Sequence, residues 1–332
     1  MKFTLIICTY MRPKALLELL ESVKSQTIYP SEILIVDGSL NNDTKASLGI
    51  NDFPNLKYFM VSKADRGLTR QRNFGISQTD SDSDVVCFLD DDTVLERNYF
   101  EEILKVYRLF PEALGVGGYI SNETKWEQTA TDYIPKIDEF AYDGWKRKDG
   151  SRFVLRKKLR LDSNTKPGFL PEFSNGRSIG FLPPSGKIYE VEQLMGGVSS
   201  FKKSVFETFS FSHYFEGYGL YEDADFTLRL SKTGKLYVNT AAQLGHFHDE
   251  SGRPNKFRYG KMVVRNGWYV WRVKFPDPSL NSKLKWYAIS LLLTLVRFSN
   301  TFTTPKRKEA FTESMGRISG LLSLLFSKPL KK

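Results

Sequence analysis

The sequence predicts an α/β fold built on a mostly parallel sheet, and three observations carry that expectation. Apolar runs of strand length alternate with segments of helical period through the first hundred residues, the pattern of successive βαβ units. Three of these runs stop at polar residues, Thr9-Tyr10, Asp37-Gly38-Ser39 and Asp90-Asp91-Asp92. The 332 residues are 41% hydrophobic and 26% charged, with 24 Gly and 14 Pro, which excludes disordered, collagenous and low-complexity classes. At this length one core is near its upper limit, so one large domain with appendages, or two domains, is expected.

The elements follow in order. Residues 3–8 read as a buried strand. Pro13 suits the first turn of a helix, where its missing N–H has no partner to lose, and Leu16, Leu17, Leu19, Leu20 and Val23 mark one face of that helix through residue 25. Strands are expected at 32–36, 56–61 and 85–89, with helices at 67–77 and 98–110. In such sheets ligands bind beyond the carboxyl ends of the strands, so the three polar strand ends should share one crevice. Residues 121–190, rich in aromatics, Lys, Gly and Pro, read as an insertion of loops and short hairpins. Order returns near residues 194–201, followed by a helix-like stretch at 203–208. A second acidic cluster, Glu222-Asp223-Ala224-Asp225, opens a helix through residue 232, where the dipole favours negative charge. A strand is expected at 235–239.

Charge is unevenly placed. The net charge is +10, yet residues 251–332 alone hold 17 Lys and Arg against 3 Asp and Glu. A basic tail suggests nucleic acid or an anionic membrane surface, and the apolar content around the charges favours the membrane. The uncharged runs at 286–296 and 318–327 are bracketed by Lys285 and Arg297 and by Arg317 and Lys328. Neither is long enough to span a bilayer, which needs ~20 apolar residues. Short apolar helices flanked by Lys and Arg fit an interfacial anchor, with Lys283, Lys306, Arg307, Lys308, Lys331 and Lys332 also meeting headgroups; packing on the core or on a second subunit is the alternative use. Cys8 and Cys87 match no metal or disulfide spacing and read as buried thiols of a reducing compartment. The N-terminal apolar run is too short for a signal peptide, so a cytoplasmic protein, peripheral at the inner face of the cytoplasmic membrane, is expected.

The sharpest chemical feature is Asp90-Asp91-Asp92. Three carboxylates at a strand end repel one another unless a cation or donors compensate them, although an exposed turn also shows such a triplet. Side chains alternate along a strand, so Asp90 and Asp92 can share one side and offer hard oxygen ligands to Mn or Mg. A second acidic group lies elsewhere, at residues 222–225.

Five segments occur together and in order: the strand leading into Thr9-Tyr10-Met11-Arg12-Pro13, the strand ending Asp37-Gly38-Ser39, the stretch from Arg66 to Gly75, Asp90-x-Asp92, and Glu222-Asp223-x-Asp225 with Arg229. Over about residues 1–250 the chain resembles family 2 of the inverting glycosyltransferases, with the GT-A fold, a Rossmann-like domain that here would carry the basic helical C-terminal extension 251–332. The resemblance divides 1–250 into a nucleotide-binding half (1–110), the insertion (121–190) and an acceptor and catalytic half (191–250). It implies that Asp37 and Thr9 bind the nucleotide base, that Arg72 pairs with the diphosphate, and that Asp90 and Asp91 take part in donor binding. It also implies that Asp90 and Asp92 are metal ligands, with His246 or His248 completing the shell, and that Asp223 is the general base beside Glu222. Gly196, Gly197 and Asp225 fall at the acceptor site. The family more often shows two acids before the Gly-Ser where this chain has Asp37 alone. A UDP-sugar is the favoured donor.

Neither the Gln-x-x-Arg-Trp motif nor the membrane spans of the processive members occur, so transfer of a single sugar to a glycan or lipid-linked acceptor is expected, as a hexosyltransferase without nucleic acid as partner. The competing class is a catalytically inactive binding or membrane adaptor protein on the same fold. Nucleotidyl transfer fits less well, since no glycine-rich phosphate loop follows the first strand.

Overall fold

The structure, a computed structural model, describes residues 1–49, 53–247 and 255–329. His248, Lys331 and Lys332, which figure among the sequence expectations, lie outside the described residues. In chain order the elements are β1 (Phe3–Thr9), α1 (Pro13–Lys24), β2 (Glu32–Asp37), α2 (Asp43–Gly49), β3 (Leu56–Met60), α3 (Leu68–Ser77), β4 (Val85–Asp90) and β5 (Thr93–Leu95). Next come α4 (Tyr99–Leu109), β6 (Ala113–Ile120), β7 (Glu127–Gln128), β8 (Glu139–Tyr142), β9 (Trp145–Lys148) and α5 (Ser151–Lys158). The rest comprises β10 (Ile188–Val191), β11 (Val198–Lys202), α6 (Glu222–Leu230), β12 (Lys235–His246), α7 (Lys256–Lys274), α8 (Leu280–Thr303) and α9 (Arg307–Phe326). The chain divides into two compact units, Met1–Lys125 with Pro184–Gly252, and Trp126–Pro183 with Arg253–Lys332.

The first unit is built on one sheet of order β10-β12-β6-β11-β4-β1-β2-β3, with β5 added to β12. β2, β1 and β4 run parallel, as do β2 and β3 and β6 and β12, while β11 runs antiparallel between β4 and β6. The chain winds outward from β1 through β2 to β3, then returns to place β4 on the other side of β1. That reversal opens a crevice at the carboxyl ends of β1 and β4. Both faces of the sheet are covered, which explains why β1, β2 and β4 are nearly continuous apolar runs. Leu5, Ile7, Ile33, Ile35, Cys87 and Leu89 pack with Leu16, Leu19 and Leu20 of α1 and Ile103 of α4. The alternate residue Phe88 instead meets Phe201, Phe206 and Phe211, a cluster closed by Phe226 of α6.

The strand expected at 235–239 continues to His246, because after β6 it goes on to pair with β5. The sequence reading leaves β6 and α7 unassigned. β6 contains Gly115, Gly117 and Gly118, whose missing side chains are filled by Phe201, Leu194 and Tyr99, so only Val116 and Ile120 carry the branched side chains that mark a strand. α7 interleaves Lys, Arg and aromatic residues along its whole length.

In the second unit β7, β9 and β8 form an antiparallel sheet whose β8–β9 turn is Asp143-Gly144, both at positive φ (50° and 76°), as a two-residue hairpin demands. α7 and α9 approach so closely that a Cβ at Gly260 or Gly316 would collide with the backbone of the facing helix. Trp271 of α7 stacks on Trp286 of α8 with centroids 5.2 Å apart. Among the described residues no helix is long and apolar enough to cross a membrane.

Candidate functional site

The crevice at the ends of β1, β2 and β4 is held open by buried polar bonds. Thr9 donates its hydroxyl to Asp91 Oδ2 at 2.6 Å, and Arg12 reaches Asp91 Oδ1 at 3.1 Å and Asp92 Oδ2 at 3.5 Å. Burial pushes the Asp91 carboxyl up to about 6, with the Thr9 hydroxyl and the Arg12 charge opposing it. Gln71, buried on α3, donates to the carbonyls of Thr9 (3.1 Å) and Val36 (2.8 Å), tying helix to both strands. Asp37 has no exposed surface; Oδ1 accepts the Ser39 N–H at 2.7 Å and Oδ2 the Tyr58 hydroxyl at 2.8 Å.

Asp90, Asp92 and His246 form one cluster, with a ligand atom of each within 4.8 Å of the others. His246 reaches Asp92 because the β5–β12 pairing sets it opposite Thr93, and the Phe247 N–H donates to the Asp92 carbonyl at 2.8 Å. Its Nε2 lies 3.0 Å from Asp92 Oδ1 and its Nδ1 3.4 Å from Glu123 Oε1. Burial works against the charged ring, but the bonds to Asp92 and Glu123 outweigh it and push the imidazole up to about 10. Hard carboxylate oxygens with one imidazole nitrogen suit a divalent ion such as Mn or Mg, so these three residues fit the metal that the sequence implies.

A second set of charges lies beside the first. Arg72 of α3, 2% exposed, donates to Glu222 Oε1, lies 3.6 Å from Asp90 Oδ1, and stacks over Phe88 and Phe211 with its guanidinium carbon 5.6 and 5.2 Å from the ring centroids. Among the described residues, Glu222 Oε2 is buried with no hydrogen-bond partner. Burial pushes the Glu222 carboxyl up to about 8, Asp223 and Asp90 push the same way, and Arg72 opposes them. Asp223, at the first turn of α6, accepts the Gly196 N–H at 3.1 Å and the Ala224 N–H at 2.7 Å; burial raises its pKa against those bonds. Tyr221 enters α6 in the left-handed conformation at φ 71°, which turns the chain so that Glu222 and Asp223 both face Arg72 and Gly196. Gly196 and Gly197 are required by close approach: a Cβ on Gly196 would meet Arg72 and Glu222, and one on Gly197 would overlap the Asp90 carboxylate.

The structure therefore brings Thr9, Asp37, Arg72, Asp90, Asp91, Asp92, Gly196, Gly197, Glu222, Asp223 and His246 to one unit and one end of its sheet. Asp225, expected at the acceptor site, is fully buried and its Oδ2 accepts Arg229 Nε at 3.1 Å and Nη2 at 2.9 Å. Thr9 and Asp91, expected to touch the donor, are 2% and 4% exposed and bond each other. Arg12, Tyr58, Gln71 and Glu123 were not singled out by sequence reasoning. Arg12 carried a usable signal, a cation directly after a strand whose neighbour ends in three acids; the other three lie in segments with no local mark of a site.

A largely parallel sheet with a metal-type carboxylate pair beyond one strand and a second acidic group on a facing helix defines an α/β protein of the GT-A class. The chain matches Glycosyl transferase family 2 over residues 4–188, more than half its length, and belongs to that family. It is similar to the O-antigen chain rhamnosyltransferase RfbN of Salmonella typhimurium, at 33% identity over 95 residues, which cover 29% of this chain and 29% of RfbN. It is also similar to the uncharacterized glycosyltransferase YwdF of Bacillus subtilis, at 26% identity over 192 residues, 57% of this chain and 58% of YwdF. The matches thus span less than two thirds of either relative. A structure of GalNAc-T7 with UDP, GalNAc and Mn2+ superposes with a TM-score of 0.53 at 15% identity, covering 99% of this chain and 59% of that one, and shares the fold.

Proposed function

We propose that the protein is a metal-dependent inverting glycosyltransferase that moves a single sugar, of the hexosyl type, from a nucleotide sugar to a saccharide acceptor. A UDP-sugar is the favoured donor and a lipid-linked glycan at the inner face of the cytoplasmic membrane the favoured acceptor. One observation carries the reading: two groups of carboxylates, Asp90 and Asp92 beside His246, and Glu222 and Asp223 at the start of α6, meet over Gly196-Gly197 with Arg72 between Glu222 and Asp90. Asp90, Asp92 and His246 would hold a divalent ion, which supplies charge neutralisation for the departing nucleoside diphosphate. Arg72 offers a guanidinium beside the same oxygens. Asp37 binds the base. Asp223 takes the proton of the attacking hydroxyl; its two backbone donors fix its orientation, and its raised pKa brings it toward neutrality, where a base is most effective.

The test is a thermal-shift panel of nucleoside diphosphates and their sugars with and without Mn, since a ligand that binds only the folded state stabilises it by mass action. Asp92→Asn is expected to abolish the Mn-dependent part of the shift, and a wild-type shift in that variant removes the metal assignment. Asp223→Asn is expected to keep the donor shift and lose ~100-fold or more in turnover. Near-normal turnover moves the base to Glu222.

A further inference from the structure

Helices α8 and α9 each carry two apolar faces. On α8, Trp286 and Ile289 are buried, while Leu280, Leu284, Tyr287, Leu291, Leu295 and Phe302 are exposed. At 3.6 residues per turn the exposed set stays within a stripe about 80° wide on the side opposite Trp286 and Ile289. On α9, Ala310, Gly320 and Leu324 are buried, while Phe311, Ile318, Leu322, Leu325 and Phe326 are exposed along one other side. The stripes converge where the chain turns between the helices: Phe298 lies 5.9 Å from Phe302 and 6.3 Å from Phe311, ring to ring. Two long stripes joined at one end make a continuous apolar surface, which a water-facing protein does not leave uncovered without a use.

Charge decides what covers it. Lys306, Arg307 and Lys308 stand at the turn, and Lys283 lies on the first turn of α8, while Lys285 sits over the Phe173 ring at 5.1 Å. The acids of these two helices are Glu309 and Glu313; Glu309 lies 3.3 Å from Lys256, and Glu313 is buried against Arg297 and Arg317 at 2.9 and 2.8 Å. The exposed acids Glu172 and Asp277 lie at the far end, where α8 begins; a seam between two copies carries charges of both signs along its margins, whereas the turn that joins the stripes holds Lys306, Arg307 and Lys308 and would there set like charge against like. An anionic bilayer answers both features, with the apolar stripes in the acyl boundary and the cations among the headgroups. At 24 residues α8 is ~36 Å long, enough for an extended contact when lying flat.

We propose that the exposed faces of α8 and α9 are an interfacial seat for an anionic lipid bilayer, in which both helices lie in the headgroup plane. The proposal rests on the reading of a lipid-borne acceptor for what the seat serves. The test is flotation of the full chain with phosphatidylcholine vesicles and with vesicles that also contain phosphatidylglycerol, at low and high salt. The wild type is expected to float with the anionic vesicles and to be released by salt. Lys306→Glu/Arg307→Glu/Lys308→Glu is expected to weaken that partition by ~100-fold or more. Leu291→Glu/Leu322→Glu, two changes at exposed positions, is expected to abolish it.

Failure of the wild type to float with anionic vesicles overturns the proposal, as does flotation that the Leu291→Glu/Leu322→Glu variant retains. So does a self-associated species in sedimentation that this variant dissociates while lipid has no effect, which gives the surface to a second copy. The Mn-dependent donor shift, measured on the same variants, is expected to be unchanged; its loss in the wild type with flotation intact refutes the donor reading and leaves the seat standing.

Discussion

Arg72 and Arg177 are both nearly buried, at 2% and 4% exposure, and both lie over phenylalanine rings, yet the charge around them is balanced differently. Arg177, in the second unit, is packed among Phe140, Phe153 and Phe181 at 4.2, 4.6 and 4.8 Å from their centroids. It forks onto both oxygens of Asp149 (2.8 and 3.1 Å) and reaches Asp162 at 2.9 Å; Lys157 and Arg156 also serve these two acids. Cations there match or exceed anions. Around Arg72 the order is reversed, since one guanidinium faces three carboxyls, Glu222, Asp90 and Asp223. A scaffold neutralises its buried charges internally, whereas a site leaves a surplus of one sign for a ligand to answer.

The comparison can be broken most forcefully at Arg177. Arg177→Leu removes the fork on Asp149 and the bond to Asp162, leaving each acid a single cation, Lys157 or Arg156, and it is expected to cost about 3–5 kcal/mol of stability in guanidinium unfolding. A loss below about 1 kcal/mol would show that the cluster is not the scaffold described.

Arg72→Leu is expected to act on function first. Glu222, whose carboxyl sits near 8, already holds its proton at neutral pH and leaves no stranded charge when Arg72 is removed, so the stability loss should stay within about 2 kcal/mol while turnover falls ~100-fold. Paired unfolding and initial-rate measurements check the split, and a stability loss equal to that of Arg177→Leu would erase the distinction.

The smallest effect sharpens the same point through pH. Glu222, faced by Arg72, Asp223 and Asp90, has a folded-state pKa near 8 against an ordinary 4.5, so the folded chain holds its proton more tightly than the unfolded one. Its contribution to stability is complete below pH 4.5 and is lost as pH rises through 8. Relative to Glu222→Gln, the wild type is expected to lose stability over that interval with a slope of at most about 1.4 kcal/mol per pH unit. A flat difference between the two would place the surplus charge elsewhere.

Much of the site region was legible because its signals are local. Strand ends that switch from apolar to polar, Pro13 at a helix start and the spacing of Asp90 and Asp92 all lie within a few residues, where period and sterics act directly. Glu123 and Tyr58 were not legible, since each acquires its part only by meeting a residue far along the chain, His246 and Asp37 respectively. The second unit was least legible for the same reason: Arg177, Asp149 and Asp162 look like solvated charges in a loop-rich stretch until the fold buries them together.

By itself, then, the sequence determined the alternation of strands and helices, the two acidic clusters, and the basic, apolar-striped character of the tail, because hydrophobic period and charge run are properties of neighbouring residues. Tertiary structure alone decided which carboxylate does what. Asp91 turns to Thr9 and Arg12, Asp90 and Asp92 turn to His246, and Asp225 turns its Oδ2 to Arg229. The difference among chemically identical groups comes from burial and partners, which exist only once distant strands are paired.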